Sequence, residues 1–343
     1  MAATLTLKKL FFRVITCFIL LVIIMTLCCF VGTQKVSFRN ILSGPSDTPG
    51  ENIDYEIFFG VRLPRVILAA LVGAALACSG VVLQAILRNP LADPYILGIS
   101  SGAGLGVIIA VLSGMTWSFW AGSPIAVFAF AGALITVWLV WCIGHLAGKS
   151  QVISLLLAGV VVNAFFSAVI MFLTSIAKSQ QVYSTIFWLM GNITEKNIPV
   201  LWISASFIFA GIFGLFSLSH KLNILTFGEE EAKGLGVDTA KTKITAFGFA
   251  AFITAIAVSL SGLVGFVGLI IPHGVRMVLG PDHRQLLPVS AIIGSAFLVV
   301  ADTLARIVVA PAQLPVGVIT AITGGPFFLI LLAKYTKKVS WLK

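Results

Sequence analysis

Charged side chains are scarce in this chain. Asp, Glu, Lys and Arg make up 10% of its 343 residues, against roughly 25% in a soluble domain. The four histidines are scattered, with no carboxylate or second histidine four residues away, so ordinary metal-ligand spacing is missing. No nucleophile–base pair, Walker motif or dinucleotide fingerprint occurs. Those gaps argue against an integral membrane enzyme. Acids inside apolar segments are nearly missing too, with Asp302 the one that stands out. That argues against a carrier driven by a coupling ion. The five cysteines (Cys17, Cys28, Cys29, Cys78, Cys142) all fall in apolar segments and read as small buried hydrophobes, not disulfides. No cofactor is expected.

What the chain has in abundance is apolar sequence. Hydrophobic residues reach 59%, and most of the chain must lie in lipid. Apolar segments fall at 11–31, 63–86, 95–112, 121–143, 152–174, 200–218, 244–263, 267–279, 286–309 and 314–333. The expectation is an all-α integral membrane protein of about ten transmembrane helices in a single domain over 1–343. The eighth segment is the weakest, being short and holding His273 and Arg276. The first apolar run is longer than a signal-peptide core and lacks a good cleavage site, so an uncleaved helix is expected. With both termini placed in the cytoplasm, about two thirds of the 22 Lys and Arg lie inside, as the positive-inside rule requires. The net charge of +10 then reflects loops that face anionic lipid; nucleic acid is not an expected partner.

The stretch 62–106 carries the densest information. Arg62 and Arg65 flank a proline, a full span follows, and Asn89-Pro90-Leu91-Ala92-Asp93-Pro94 makes a rigid polar turn before a Gly- and Ser-rich segment. Inside a span, GISSGAGLG (98–106) reads as close helix packing, not a phosphate loop. Asp302 and Arg306 stand four apart on one helix face and form a candidate intramembrane pair. Arg62, Arg65 and Arg306 all fall at the outer membrane level. Either they snorkel to the interface or they accept acidic groups of a ligand or partner. An aromatic amphipathic stretch at 183–190 suits a helix lying in the interface. The inner loop 219–243 (SHKLNILTFGEEEAKGLGVDTAKTK) predicts a short helix, a tight turn at Gly234 and Gly236, and a second short helix. It is either a solvated connection or a docking surface.

The motifs RLPR…GAALACSGVVLQAILRNPLADPYILGISSGA, GEEEAKGLGV, SGLVGFVGLIIPHGVRMVLGPDHRQLLP, ADTLAR and LPVGVITAITGGPFFLILL resemble those of the FecCD-type permeases. These are membrane subunits of ABC importers for iron chelates and vitamin B12. The resemblance covers nearly everything from Arg62 onward. It implies a ten-helix type II importer fold with an inverted internal repeat, and a cytoplasmic or inner membrane location in a bacterium or archaeon. It implies no catalysis in this chain, since ATP hydrolysis belongs to a partner. The implied partners are a second permease subunit (as a homodimer), two cytoplasmic ABC ATPase subunits and an extracytoplasmic substrate-binding protein. It also implies that Arg62, Arg65 and Arg306 dock the binding protein. Phe227, Gly228, Glu229, Glu230, Glu231, Ala232, Lys233, Gly234, Leu235 and Gly236 would couple to the ATPase. Asn89 and Leu91, with Val152 and Ile153, would form the cytoplasmic gate. The expected cargo is an iron chelate, siderophore or haem; the alternative is cobalamin.

Overall fold

Apolar segments of 20 or more residues have no water to satisfy their backbones in a bilayer, so they close their hydrogen bonds internally as helices. The computed structural model describes residues 6–45, 51–115, 123–146, 151–194 and 198–340, and their side chains except at 145, 151–153 and 331–340. The chain opens with α1 (Leu7–Phe30), then two short surface helices, α2 (Phe38–Leu42) and α3 (Ile53–Tyr55). A π-helical turn at Glu56–Arg62 leads into α4 (Leu63–Ile86). After the polar turn come a 3₁₀ turn at Pro94–Leu97, α5 (Ile99–Leu112), α6 (Pro124–Leu146), α7 (Gln151–Ser175) and the short α8 (Ser179–Leu189). The second half runs α9 (Ile198–Ser217), α10 (Ser219–Leu225), α11 (Glu229–Gly234), α12 (Thr239–Ser261), α13 (Val267–Leu279), α14 (His283–Ile307) and α15 (Val316–Ser340).

Among the described residues seven helices are long and apolar enough to cross a membrane, and three shorter apolar ones are α5, α13 and the 316–330 part of α15. These match the ten segments read from the sequence, including the weak eighth as the 13-residue α13. The aromatic stretch expected to form a short helix does so, as α8. One element differs. The second short helix of the 219–243 loop does not exist by itself. Asp238 caps Thr239 onward, its Oδ1 accepting from Lys241 N at 2.9 Å, and the helix continues unbroken into α12. Lys241 and Lys243 on the first turns hid this continuity, because charge there reads as loop.

The most apolar window of α4 is 94% buried inside the chain, whereas that of α1 is 6% buried. The central rod is therefore α4, and α1 is a peripheral helix lying mainly along α14. Small residues make the centre possible. A methyl on Gly73 would sit 2.2 Å from Gly294 O, and one on Gly80 would sit 1.9 Å from Gly268 O. Backbones can approach this closely only without side chains between them. Gly106 likewise admits Phe128 O of α6, as the sequence reading of 98–106 expected.

Two interruptions give the bundle its internal symmetry. Each half contains a long helix, a break and a short helix: α4, 87–98, α5, and then α12, 262–266, α13. Gly98 takes φ +74° before α5, and Phe266 takes φ +70° before α13.

Candidate functional site

At one end of the bundle four charged side chains are buried together. Asp302 is 1% exposed, Arg62 4%, Arg65 5% and Arg306 7%. Arg65 grips Asp302 in a fork, Nη2 to Oδ1 at 3.0 Å and Nε to both oxygens at 3.1 Å, and its Nη1 donates to Gln313 Oε1 at 3.0 Å. Arg306 Nε lies 3.3 Å from Asp302 Oδ2, an ion pair whose angle makes no hydrogen bond, while its Nη2 donates to Thr303 Oγ1 at 2.9 Å. The pair read at i,i+4 spacing thus exists, but the stronger partner of Asp302 is Arg65, 237 residues away. Sequence spacing gives no access to that contact. Arg62 is engaged differently. Its Nη1 donates to Cys29 O and Phe30 O, both at 3.0 Å, and its Nη2 donates to Gln34 O. It therefore caps the C-terminus of α1, where carbonyls lack helical partners and the dipole favours a cation. Gly32 leaves room for the guanidinium, since a methyl there would lie 2.7 Å from it and make the Arg62 side chain shift.

In the interior the two breaks meet. Val264 N donates to Tyr95 Oη at 3.0 Å, and Pro94 packs on Gly268. Gln84, 2% exposed in α4, points its Nε2 at Leu269 O (3.2 Å), Gly268 O (3.3 Å) and Ala92 O (3.5 Å). One amide thereby serves a carbonyl of the first break and two in the first turn of α13, just after the second. Phe266 fits against Gly324 of α15, where a methyl would lie 2.5 Å from its ring. A bulky residue at positive φ is a strained conformation, held only where packing over-determines it. Gln84, Tyr95 and Phe266 carried no spacing signal. The one available hint was a polar Gln84 within an otherwise apolar span.

The expected gate turn lies within the first break. Asn89 Oδ1 accepts from Leu91 N at 2.9 Å and Asn89 O from Ala92 N at 3.1 Å, so Asn89 shapes the turn by an Asx bond. Leu91 lines a void of about 10 Å³ with Pro90, Leu269, Ile270, His273, Phe327 and Phe328. That is no more than one water molecule. The lining is apolar except for His273. Val152 and Ile153 fall in the first turn of α7, but their side chains lie outside the described residues.

The coupling segment lies at the same end as Asn89. Phe227 is 75% exposed and Leu235 67%, two large apolar side chains on a polar loop. Between them α11 presents Glu230 paired to Lys233 at 2.9 Å, and Ala232 turns inward, fully buried. Glu229 pairs with Lys243 of α12. The Lys243 hydrogen bond holds the Glu229 carboxyl below its ordinary range. Gly228 (φ +143°) and Gly236 (φ +79°) bracket the segment in conformations that other residues avoid.

Comparison with known proteins bears on the whole assembly. The sequence profile of the FecCD transport family matches residues 19–334. The chain is 44% identical over 272 residues to the cobalamin import system permease of Halobacterium salinarum, covering 79% of this chain and 72% of that one. It is 40% identical over 324 residues to the hemin transport system permease of Yersinia pestis, covering 94% and 95%. A solved structure described as an inward-facing conformation of a metal-chelate type ABC transporter superposes with a TM-score of 0.81 at 32% identity, over 94% of this chain and 98% of that one.

Proposed function

This chain belongs to the FecCD transport family, a multi-pass membrane permease of the ABC importer type, and from that premise we propose that it moves an iron chelate, siderophore or haem, inward across the cytoplasmic membrane. The observation that carries the reading is the joint presence of two broken helices that meet in the interior, an apolar-lined turn at Asn89-Pro90-Leu91 within the first break, and an exposed segment 227–236 tied to that turn through Arg88 and Leu225. Interrupted helices in corresponding positions of two halves mark transport routes, because irregular backbone at membrane depth is tolerated only inside protein or along a cavity. The 40% identity with a hemin permease over nearly the full length supports the cargo class. The 44% identity with a cobalamin permease supports the second reading, cobalamin. Uptake into proteoliposomes of an iron(III) hydroxamate, hemin and cyanocobalamin in parallel separates them. Accumulation of cyanocobalamin alone would replace the first reading by the second.

In this reading both termini are cytoplasmic, two copies form the pathway, two ATPase subunits grip the segment 227–236 from below, and a binding protein docks above. Phe227 and Leu235 are the apolar anchors of the ATPase contact, framed by Glu229, Glu230, Glu231 and Lys233. An anchor in a contact of this kind is worth about 2 kcal/mol or more. Leu235→Glu is therefore expected to lower ATPase association about thirtyfold in a pull-down titration. Unchanged association would remove the segment from the interface.

The docking role of Arg62, Arg65 and Arg306 is narrowed by their burial. Arg65 and Arg306 share the Asp302 carboxylate, while Arg62 caps α1 within electrostatic reach of Asp54; three guanidiniums against two carboxylates leave this cluster an excess of positive charge that attracts an acidic partner at a distance. Arg62→Gln keeps a donor for the α1 carbonyls and removes one charge. It should weaken association with the cognate binding protein most at low salt. An affinity equal to wild type at every salt concentration would exclude Arg62 from docking.

A further inference from the structure

We propose that α10 is the relay between the coupling segment and the rest of the bundle, and that Asn223 and Arg88 are its positioning residues. The inference rests on the reading of α11 as the ATPase contact.

Asn223 ties α10 to the start of α14. Its Nδ2 donates to Asp282 Oδ1 at 2.8 Å, its Oδ1 accepts from His283 N at 2.8 Å, and His283 Nδ1 lies 2.7 Å from that same oxygen. With Nδ1 as the donor the contacts to Asn223 are matched, while Nε2 is buried without a partner among the described residues, and the ring is 2% exposed. Asp282 is itself the N-cap of α14, accepting from Arg284 N at 3.0 Å. The Arg284 side chain, helped by Asn223, pushes its carboxyl down to about 2. The clamp therefore stays charged at every physiological pH. It holds the end of the helix whose far end carries Asp302.

Arg88 ties α10 to the gate. Its Nη2 reaches Leu225 O, the last carbonyl of α10, at 3.4 Å. Arg88 holds φ +49°, a left-handed conformation that costs a residue with a Cβ. It directly precedes Asn89-Pro90-Leu91, so a shift of Leu225 is passed to the turn that plugs the void.

The third tie is to α11 itself. Only Thr226, Phe227 and Gly228 separate the two helices, and Gly228 N donates back to Leu225 O at 3.4 Å. Ser219, Leu222 and Leu225 bury one face of α10, so its seven residues move as one piece. Displacement of α11 thus has two outlets through α10: α14 by way of Asn223 and the gate by way of Arg88. The competing route is the Glu229–Lys243 pair into α12.

The test is cargo-independent. Leu91→Cys with Phe327→Cys, in a background lacking the five native cysteines, reports gate closure by disulfide trapping in the permease reconstituted with its ATPase and binding protein. The control must show a trapping yield that changes with ATP and vanadate; a control without that change overturns the coupling reading and the relay with it. Given that change, Asn223→Ala and Arg88→Gln are each expected to shrink it about fivefold or more while ATP hydrolysis continues. Asn223→Asp combined with Asp282→Asn re-creates one donor–acceptor pair and should restore most of the response. Arg88 is exposed, so Arg88→Gln keeps the fold and decides the matter where Asn223→Ala does not assemble. A full nucleotide response in Arg88→Gln, and in Asn223→Ala where it assembles, assigns transmission to α12 and overturns the relay.

Discussion

Replacing Asp302 by alanine is expected to destabilise the permease by about 3–5 kcal/mol, the typical result of removing one partner from a buried ion pair. The carboxylate is 1% exposed and receives a forked Arg65 and an adjacent Arg306. Without it, two guanidiniums remain buried with only Gln313 and Thr303 as neutral acceptors. Their mutual repulsion adds to the desolvation that the carboxylate offset. Arg65 comes from α4 and Asp302 from α14, so the loss also loosens the end of the most extensive helix contact in the bundle. Thermal unfolding of detergent-solubilised protein, followed by tryptophan fluorescence, measures it. A midpoint within a degree of wild type would show that water or headgroups already compensate the arginines. A second variant separates charge from packing. Asp302→Leu combined with Arg65→Met and Arg306→Leu removes all three charges at similar volume, and buried ion clusters replaced in this way are often neutral in stability. Recovery of the midpoint in that variant identifies the unpaired charge, not the lost volume, as the cause. The same variant should associate more weakly with a binding protein, because it loses two arginines and one carboxylate, a net loss of one positive charge with Arg62 retained.

Gly80→Ala is expected to have the second-largest effect, through geometry alone. The new methyl would lie 1.9 Å from Gly268 O and 2.7 Å from Gly268 Cα, both backbone atoms that cannot rotate away. The helices must separate. Overpacking of a tight core costs about 1–3 kcal/mol. The functional loss should exceed what that destabilisation explains. Separation at Gly268 breaks the Gln84 bonds to Gly268 O and Leu269 O and strains the Tyr95–Val264 contact, the interlock of the two breaks. Gly248→Ala in α12 is the control, since a methyl there meets nothing within 4 Å. That substitution should stabilise by about 0.5–1 kcal/mol, because alanine loses less conformational freedom in a helix. Uptake by Gly80→Ala proteoliposomes that matches wild type would mean that the two breaks do not need their close contact.

Much of the architecture was legible because lipid leaves little choice. Ten apolar segments became the ten bundle helices, and the one at 267–279, weak in the sequence for its short length, His273 and Arg276, is a helix of 13 residues. The short helix at Glu229–Gly234 and the turn after it were legible from their glutamates and glycines. The helix after it was misplaced at its start, since Lys241 and Lys243 on a helical turn resemble a loop. The proline turn at Asn89 was visible, but its neighbours His273, Phe327 and Phe328 were not, because they come from sequence more than 180 residues distant.

By itself, then, the sequence determined which segments enter the membrane, where they are interrupted, and which family's motifs they carry. Those properties are local: hydropathy, turn chemistry and spacing act within a few residues. Only the tertiary structure decided what the rare polar groups do. It gave Asp302 to Arg65, not only to its neighbour Arg306, and turned Arg62 inward to cap α1. It placed Gln84 between two breaks and set Asn223 against the start of α14. The reason is physical: a polar group in an apolar interior must find a partner wherever the fold supplies one, and the nearest in space is seldom the nearest along the chain.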